Sequence, residues 1–392
     1  MDSVISQGSG SDIAFFLQNL EGGGAERAIV ALAGEIAKQG HAVDLVVAHA
    51  GGGFRPEISP AVNIVDFAAN THRLIFCRLI AYLRRRNPTA VMSALDVPNI
   101  MLIVAARMAG YKGRAIISQR AVVAAAQREW PQGRRWLITL LQRVLFRRAD
   151  ALISNSHAAA NEVRELLGVP ADRISVIHNA VDMERISQLA REPLSNHWLS
   201  KLQQPLIVSV GSLTARKDVG TLIKAFASVK AQRQAHLVII GKVEGRNSRA
   251  EQRKIEELIL ELGLSANVHL PGFDANPYKW MAAAAVFVSS SMEEGFPNVI
   301  AEALALGRPI VATDCPGDTA ELLQHGKWGR LVPVGNPERM ADAILDALDD
   351  PNLPNGRIRA ADFLPSKSTS AYLKVLLPEW KQATENIVGQ SL

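Results

Sequence analysis

The strongest constraint on how this chain folds is an alternation that runs, breaks and restarts. Six short β-branched or apolar segments come first: DIAFFL (12–17), VDLVVA (43–48), TAVMS (89–93), RAIIS (114–118), DALISN (150–155) and RISVI (173–177). Helical patterns near 25–39, 72–87, 98–109, 134–148 and 156–167 lie between them, with Gly40 as a stop and Ser156 as a cap. Strands separated by helices of this length are βαβ units, and such units build a parallel sheet. Residues 183–204 interrupt the pattern, with Pro193 inside them. It resumes with PLIVSVG (205–211), HLVIIG (236–241), NVHL (267–270), AVFVSS (285–290) and PIVAT (309–313), with helices near 217–231, 249–263, from Pro297, and near 336–349. The expectation is α/β: two doubly wound domains facing each other across a cleft. The domains are placed at 1–190 and 191–365, and a helical segment, 366–392, is expected to return to the first.

At 392 residues the chain is long enough for two separate cores. Its 48% hydrophobic and 21% charged content excludes a disordered protein. Cys77 and Cys315 match no metal or redox spacing and read as reduced thiols of a cytoplasmic protein. The opening MDSVISQGSGSD lacks the basic start and apolar run of a signal peptide. No segment reaches the roughly 18 apolar residues that span a bilayer.

Charge is uneven. Residues 1–200 carry 22 Lys+Arg against 17 Asp+Glu, whereas residues 201–392 carry 21 of each. Within 70–150, 15 basic residues face only Asp96, Glu129 and Asp150, a net +12. Such a field implies an anionic partner: nucleic acid, a membrane surface or a phosphorylated substrate.

Two loops at strand ends suit an anion. The first strand leads into QNLEGGGAER, where Gly22, Gly23 and Gly24 precede a helix and leave room for a ligand at its amides. Arg27 stands where a dinucleotide fingerprint needs its third glycine, so that motif is absent. A plain strand-to-helix turn fits the same residues. In VSVGSLTARKDVG, Gly211 ends a strand and Arg216 and Lys217 stand at a helix start. Cations there oppose the helix dipole unless an anion offsets them; a solvated charged turn is the other reading.

A third stretch is SMEEGFPNVIAEALALGRPIVATD (291–314). Glu294 falls at the mouth of a buried strand, Pro297 suits a first helical turn, and Glu302 lies about one and a half turns into the helix. Both carboxylates can reach one ligand, with the Gly295 and Phe296 amides between them. Carboxylates accept from paired sugar hydroxyls, while amides and Lys217 suit a diphosphate. A capping acid and a surface acid remain the plainer alternative.

These residues resemble a known family. The E-x7-E arrangement, with EGFPNV at its start and EALALGRPIVATD at its end, is similar to the signature of GT4 glycosyltransferases with the GT-B fold. GGGAERAIVALAGEIAKQGHAVDLVV, SVIHNAVD and VGSLTARKD resemble further family segments in the family's order, so the likeness runs from about residue 12 to 350. It implies two Rossmann-like domains and a retaining, metal-independent transfer of a sugar from a nucleoside diphosphate donor, with UDP the favoured carrier and no cofactor. By the same resemblance Glu294 meets the transferred sugar, Glu302 the ribose, and Lys217 the leaving diphosphate. Arg216 supplies charge where Ser212 replaces the family's arginine. Arg120 takes the place of a histidine in the first domain, with His157 and His178 candidates by type alone. Gly211, Ser212, Gly241, Phe273, Gly295, Phe296, Pro297 and Asn298 complete the donor set, with Gly23 and Gly24 approaching from the first domain. No D-x-D tripeptide offers a carboxylate pair to Mg²⁺.

RLIFCRLIAYLRRRNP (73–88) and REWPQGRRWLITLLQRVLFRR (128–148) interleave arginine with large apolar residues, as helices on an anionic membrane do. A lipid-linked or oligosaccharide acceptor docked by the first domain at the inner membrane face is the expectation. Nucleic acid is not expected, since no RNA-binding module is present. A sugar-nucleotide epimerase and a non-catalytic sugar-nucleotide-binding protein are the competing readings.

Overall fold

The computed structural model describes residues 11–20, 24–120, 131–194, 204–243, 245–350 and 354–378. It divides into two compact units: Met1–Ala180 with Pro365–Leu392, and Val181–Leu364. Gly22 and Gly23, the segment 128–130 and the end of the expected C-terminal helix lie outside the described residues.

The first unit is built on seven parallel strands: β1 (Ile13–Leu17), β2 (Val43–Val47), β3 (Val62–Asp66), β4 (Ala90–Ala94), β5 (Arg114–Gln119), β6 (Ala151–Ser154) and β7 (Ile174–Val176). Their order is β3-β2-β1-β4-β5-β6-β7. Every residue of β1, β2 and β4 is buried, which is why these strands read as apolar runs rather than alternations. Phe15 and Phe16 point to opposite faces of the sheet and enter different cores. Phe16 joins the core under α2 (His72–Arg86) and α3 (Asp96–Ala109). Phe15 joins the core under α1 (Gly24–Lys38) and the C-terminal helix Pro365–Leu376, whose Tyr372, Leu373 and Leu376 are buried there. Thr71 caps α2 by accepting from the Leu74 amide, and Ser156 caps α5 (His157–Leu167) through Ala159. Between them lies α4 (Gln132–Leu145).

The arginine-rich end of α2 is partly structural. Asp44 is buried in β2 and accepts from Asn63 at 2.7 Å, from the Tyr82 hydroxyl at 2.6 Å and from Arg86 at 3.3 Å. Burial alone would raise the Asp44 pKa; the Asn63, Tyr82 and Arg86 hydrogen bonds outweigh it and hold the carboxyl below its usual value.

The second unit has six parallel strands: β8 (Leu206–Val210), β9 (His236–Ile240), β10 (Val268–Gly272), β11 (Val286–Ser289), β12 (Ile310–Thr313) and β13 (Arg330–Val332). Their order is β10-β9-β8-β11-β12-β13, so strand order reverses between β8 and β11. In doubly wound sheets ligands collect beyond the carboxyl ends at that point. This unit begins at Val181, ten residues before the division placed from the sequence. The reason is local: Val181 donates to the Phe363 carbonyl at 2.7 Å, and Val181 and Ile186 of α6 (Met183–Leu189) sit in the second unit's core.

Candidate active site

The loops after β8 and β11 meet at the reversal point. After β8 the chain makes a single 3-10 turn, Ala215–Lys217, before α7 (Val219–Gln232). Arg216 and Lys217 thus precede the helix, rather than opening it as the sequence suggested. Asp218 separates the two elements in a left-handed conformation (φ 44°), its carboxylate accepting from Thr221. The turn is tied to the next strand's loop by two bonds: Met292 N–H to the Arg216 carbonyl at 2.8 Å, and the Ser290 hydroxyl to the Lys217 carbonyl at 2.8 Å.

These bonds bring both cations onto Glu294. Lys217 Nζ lies 2.5 Å from Oε1 and Arg216 Nη1 lies 3.1 Å from Oε2. The Ser291 hydroxyl adds a bond to Oε1 at 2.7 Å, and Arg216 also reaches the Glu293 carbonyl at 2.9 Å. Glu294 is only 8% exposed. Burial by itself would raise its pKa; the charges of Lys217 and Arg216, with the Lys217 and Ser291 hydrogen bonds, reverse this and keep it ionised below the usual carboxylate range. The result is a buried anion beneath two cations that open toward solvent, Arg216 more than Lys217. That arrangement can accept from sugar hydroxyls at the carboxylate and meet phosphate at the cations.

Two glycines are required by close backbone approach. A Cβ on Gly241, after β9, would stand 2.0 Å from the Gly211 carbonyl oxygen; Gly211 itself lies against the Lys217 side chain. Gly317 has φ 130°, and a Cβ there would stand 1.8 Å from the Glu294 carbonyl oxygen. The loop after β12 thereby lies directly on Glu294, whose amide donates to Pro316 at 2.9 Å. Ser291, Pro316 and Gly317 were missed by sequence reasoning. The Ser-Ser-Ser run at the β11 end and the Pro-Gly pair after β12 were the available signals.

The remaining expected residues take varied positions. Glu302 is the fifth residue of α8 (Asn298–Ala305), half-buried, and its Oε1 accepts from the Tyr278 hydroxyl at 3.1 Å. Phe296 turns its ring into the core against Phe363, 5.4 Å away, and Pro297 is also buried; neither side chain is presented to a ligand. The Gly295 carbonyl accepts from Asp318 N–H at 3.1 Å, and Asn298 and Ser212 are exposed. Phe273, one residue past β10, is 67% exposed with Lys242 Nζ 5.9 Å from its ring centre. In the first unit Gly24 is the first residue of α1. Arg120 donates to the Tyr372 hydroxyl at 3.0 Å and to Asn179 Oδ1 at 2.6 Å, which joins β5 to the C-terminal helix. The rings of His157 and His178 are 5.6 Å apart, and His178 Nδ1 lies 3.1 Å from the Asn155 carbonyl.

Two parallel α/β units, each with strand order reversing beside its first strand, and a carboxylate–cation site at the second reversal define a GT-B glycosyltransferase. The family model for glycosyl transferases group 1 matches residues 190–362, and that for glycosyltransferase family 4 matches residues 22–185. The chain is a member of glycosyltransferase family 4. It is 32% identical over 291 residues to the N-acetylgalactosamine-N,N'-diacetylbacillosaminyl-diphospho-undecaprenol 4-alpha-N-acetylgalactosaminyltransferase of Campylobacter jejuni, covering 72% of this chain and 74% of that one. It is 28% identical to the lipopolysaccharide core biosynthesis glycosyltransferase LpsE of Rhizobium meliloti, covering 90% and 96%. Among solved structures, Anabaena Alr3699/HepE in complex with UDP and glucose superimposes with a TM-score of 0.75 at 19% identity, over 93% of this chain and 99% of that one. The matches favour neither the epimerase nor the non-catalytic reading.

Proposed function

We propose that this glycosyltransferase moves a sugar from a nucleoside diphosphate donor, UDP in the first instance, to a glycan or lipid-linked acceptor in polysaccharide or glycolipid biosynthesis. The transfer retains anomeric configuration and uses no metal. The observation that carries this reading is the convergence of Lys217 and Arg216 on buried, ionised Glu294 at the strand-order reversal. Cleaving the bond between sugar C1 and phosphate leaves a diphosphate with an additional negative charge. Lys217 and Arg216 offset it, and their preorganised placement on Glu294 avoids reorganisation during the step. Glu294 takes hydroxyls of the transferred sugar, and Glu302, oriented by Tyr278, takes those of the ribose. Phe273 offers an exposed ring at a strand end for the base, and Gly241 follows the neighbouring strand, its amide donating to the Gly272 carbonyl at 3.0 Å. The first unit receives the acceptor, with Arg120 as its cation. The Campylobacter relative is named for a diphospho-undecaprenol acceptor and the Anabaena neighbour for bound UDP and glucose; both support this assignment of partners.

A thermal-shift panel of UDP-, GDP- and ADP-sugars, with and without EDTA, tests it. A donor at a hundred times its dissociation constant stabilises the unit it binds by about 2.7 kcal/mol. For a unit of this size that is a rise of roughly 5–10 °C. The expected result is a rise with one base that EDTA leaves unchanged. No rise with any donor would overturn the assignment.

A further inference from the structure

We propose that the exposed face of α4, bearing Trp136, Leu137, Leu140 and Val144, is a docking surface that inserts into an anionic lipid bilayer. The helix has two apolar sides. One carries Leu145 and half-buried Leu141 into the first unit's core, with buried Gln142 beside them. The other is left in water: Trp136 is 67% exposed, Leu137 49%, Leu140 42% and Val144 46%. Trp136, Leu140 and Val144 are four residues apart and lie along one side, a stripe about 12 Å long. Neighbouring α5 adds exposed Leu166, whose carbonyl accepts from Arg143 Nε at 2.6 Å. Single exposed apolar residues are ordinary, but a contiguous patch marks an interaction surface.

Charge selects the partner. Along the chain Arg134 and Arg135 precede the stripe, Arg143 lies beside Val144 and Arg147 and Arg148 follow it, and no Asp or Glu occurs from Pro131 to Ala149. Arg135, Arg143, Arg147 and Arg148 form no ion pair among the described residues. An apolar stripe edged by arginine matches the boundary between acyl chains and anionic headgroups. A second copy of this chain would set arginines against arginines, and a nucleic acid would leave the stripe in water.

The structure also separates α4 from the other arginine-rich stretch. In α2, Ile75, Leu79, Tyr82 and Leu83 are buried, Arg86 is bound to Asp44, and Arg84 donates to the Met108 carbonyl. That helix has little left to offer a membrane.

This inference rests on the proposed lipid-linked acceptor and names the surface that brings the enzyme to it. Vesicle binding is read without donor or acceptor, so failure of the transfer assignment and failure of docking are seen separately. The full chain is sedimented with pure phosphatidylcholine vesicles and with vesicles containing phosphatidylglycerol, at low and high salt. Wild type is expected to bind the anionic vesicles at low salt and to release at high salt. The double variant Trp136→Ser/Leu140→Ser loses at least ~10-fold of that partition, with an unchanged melting temperature and donor shift. Trp136→Phe restores most of the binding, and Arg135→Glu/Arg148→Glu also loses ~10-fold or more. Leu74→Ser/Cys77→Ser in α2 stays within about twofold of wild type. The proposal is overturned if wild type binds neither vesicle, if Trp136→Ser/Leu140→Ser binds as wild type does, or if that variant instead abolishes a dimer seen by size exclusion.

Discussion

Replacing Lys217 with Met tests the core of the site. The substitution keeps most of the side chain's length and apolar stem but removes the charge 2.5 Å from Glu294. Stripping every partner from a buried carboxylate costs about 3–5 kcal/mol. Here Arg216 at 3.1 Å and Ser291 at 2.7 Å remain, so the loss is that of one charged hydrogen bond, about 1.5–3 kcal/mol. For a unit this size the melting temperature falls by roughly 3–12 °C at neutral pH. The pH dependence has a definite sign. Glu294 titrates lower folded than unfolded, so its contribution is present above its unfolded pKa of 4.5 and is lost as pH falls through the lower folded value. Removing Lys217 raises the folded value, and the variant loses this contribution at higher pH than wild type. With the leaving diphosphate short of one cation, kcat falls ~10²–10³-fold. Calorimetric melting across pH and steady-state transfer rates read both effects. A variant that melts with wild type and transfers sugar at the wild-type rate would refute the reasoning.

Three further outcomes are expected. Glu302→Ala weakens donor binding by about 1–3 kcal/mol by calorimetric titration if it holds ribose hydroxyls; unchanged affinity removes that role. Gly317→Ala forces the β12 loop off the Glu294 carbonyl, since its Cβ would stand 1.8 Å from that oxygen. It is expected to cost ~1–3 kcal/mol of stability and most of the transfer activity, and normal kinetics would show that the contact is dispensable. His236 and His269 stack at 5.4 Å, and burial first, then Lys230 for His236 and His236 for His269, lowers both pKa values below 6.5. Their stability contribution is therefore present above 6.5 and lost as pH falls below it. A His236→Asn/His269→Asn variant should show a flatter melting profile through that range; an unchanged profile contradicts the shift.

How much of this was legible beforehand depended on burial. β1, β2, β8 and β9 are central strands enclosed on both faces, so their apolar runs were unmistakable. β3 and β13 were missed because their local patterns are weak: VNIVD carries Asn63 and buries only some of its residues, and RLV is three residues between Gly329 and Pro333. Glu294, Lys217 and Arg216 were legible because strand ends and turn residues carry local signals. The Phe296 amide was singled out from the turn, but that its ring packs inward on Phe363 was not legible, because nothing local distinguishes a loop phenylalanine that enters the core from one left exposed. The net charge of 70–150 does not say which of its arginines the fold uses internally. Only the fold shows Arg86 neutralised on Asp44 and the α4 stripe left exposed.

A time course of proton NMR spectra, taken with one UDP-sugar, EDTA and an acceptor glycan, follows the anomeric signal of donor and product together. The expected result is release of the nucleoside diphosphate with a product of the donor's own anomeric configuration, at a rate that Lys217→Met cuts by about 10²–10³. An inverted anomeric signal, a sugar epimerised without acceptor, or a variant as fast as wild type would contradict it.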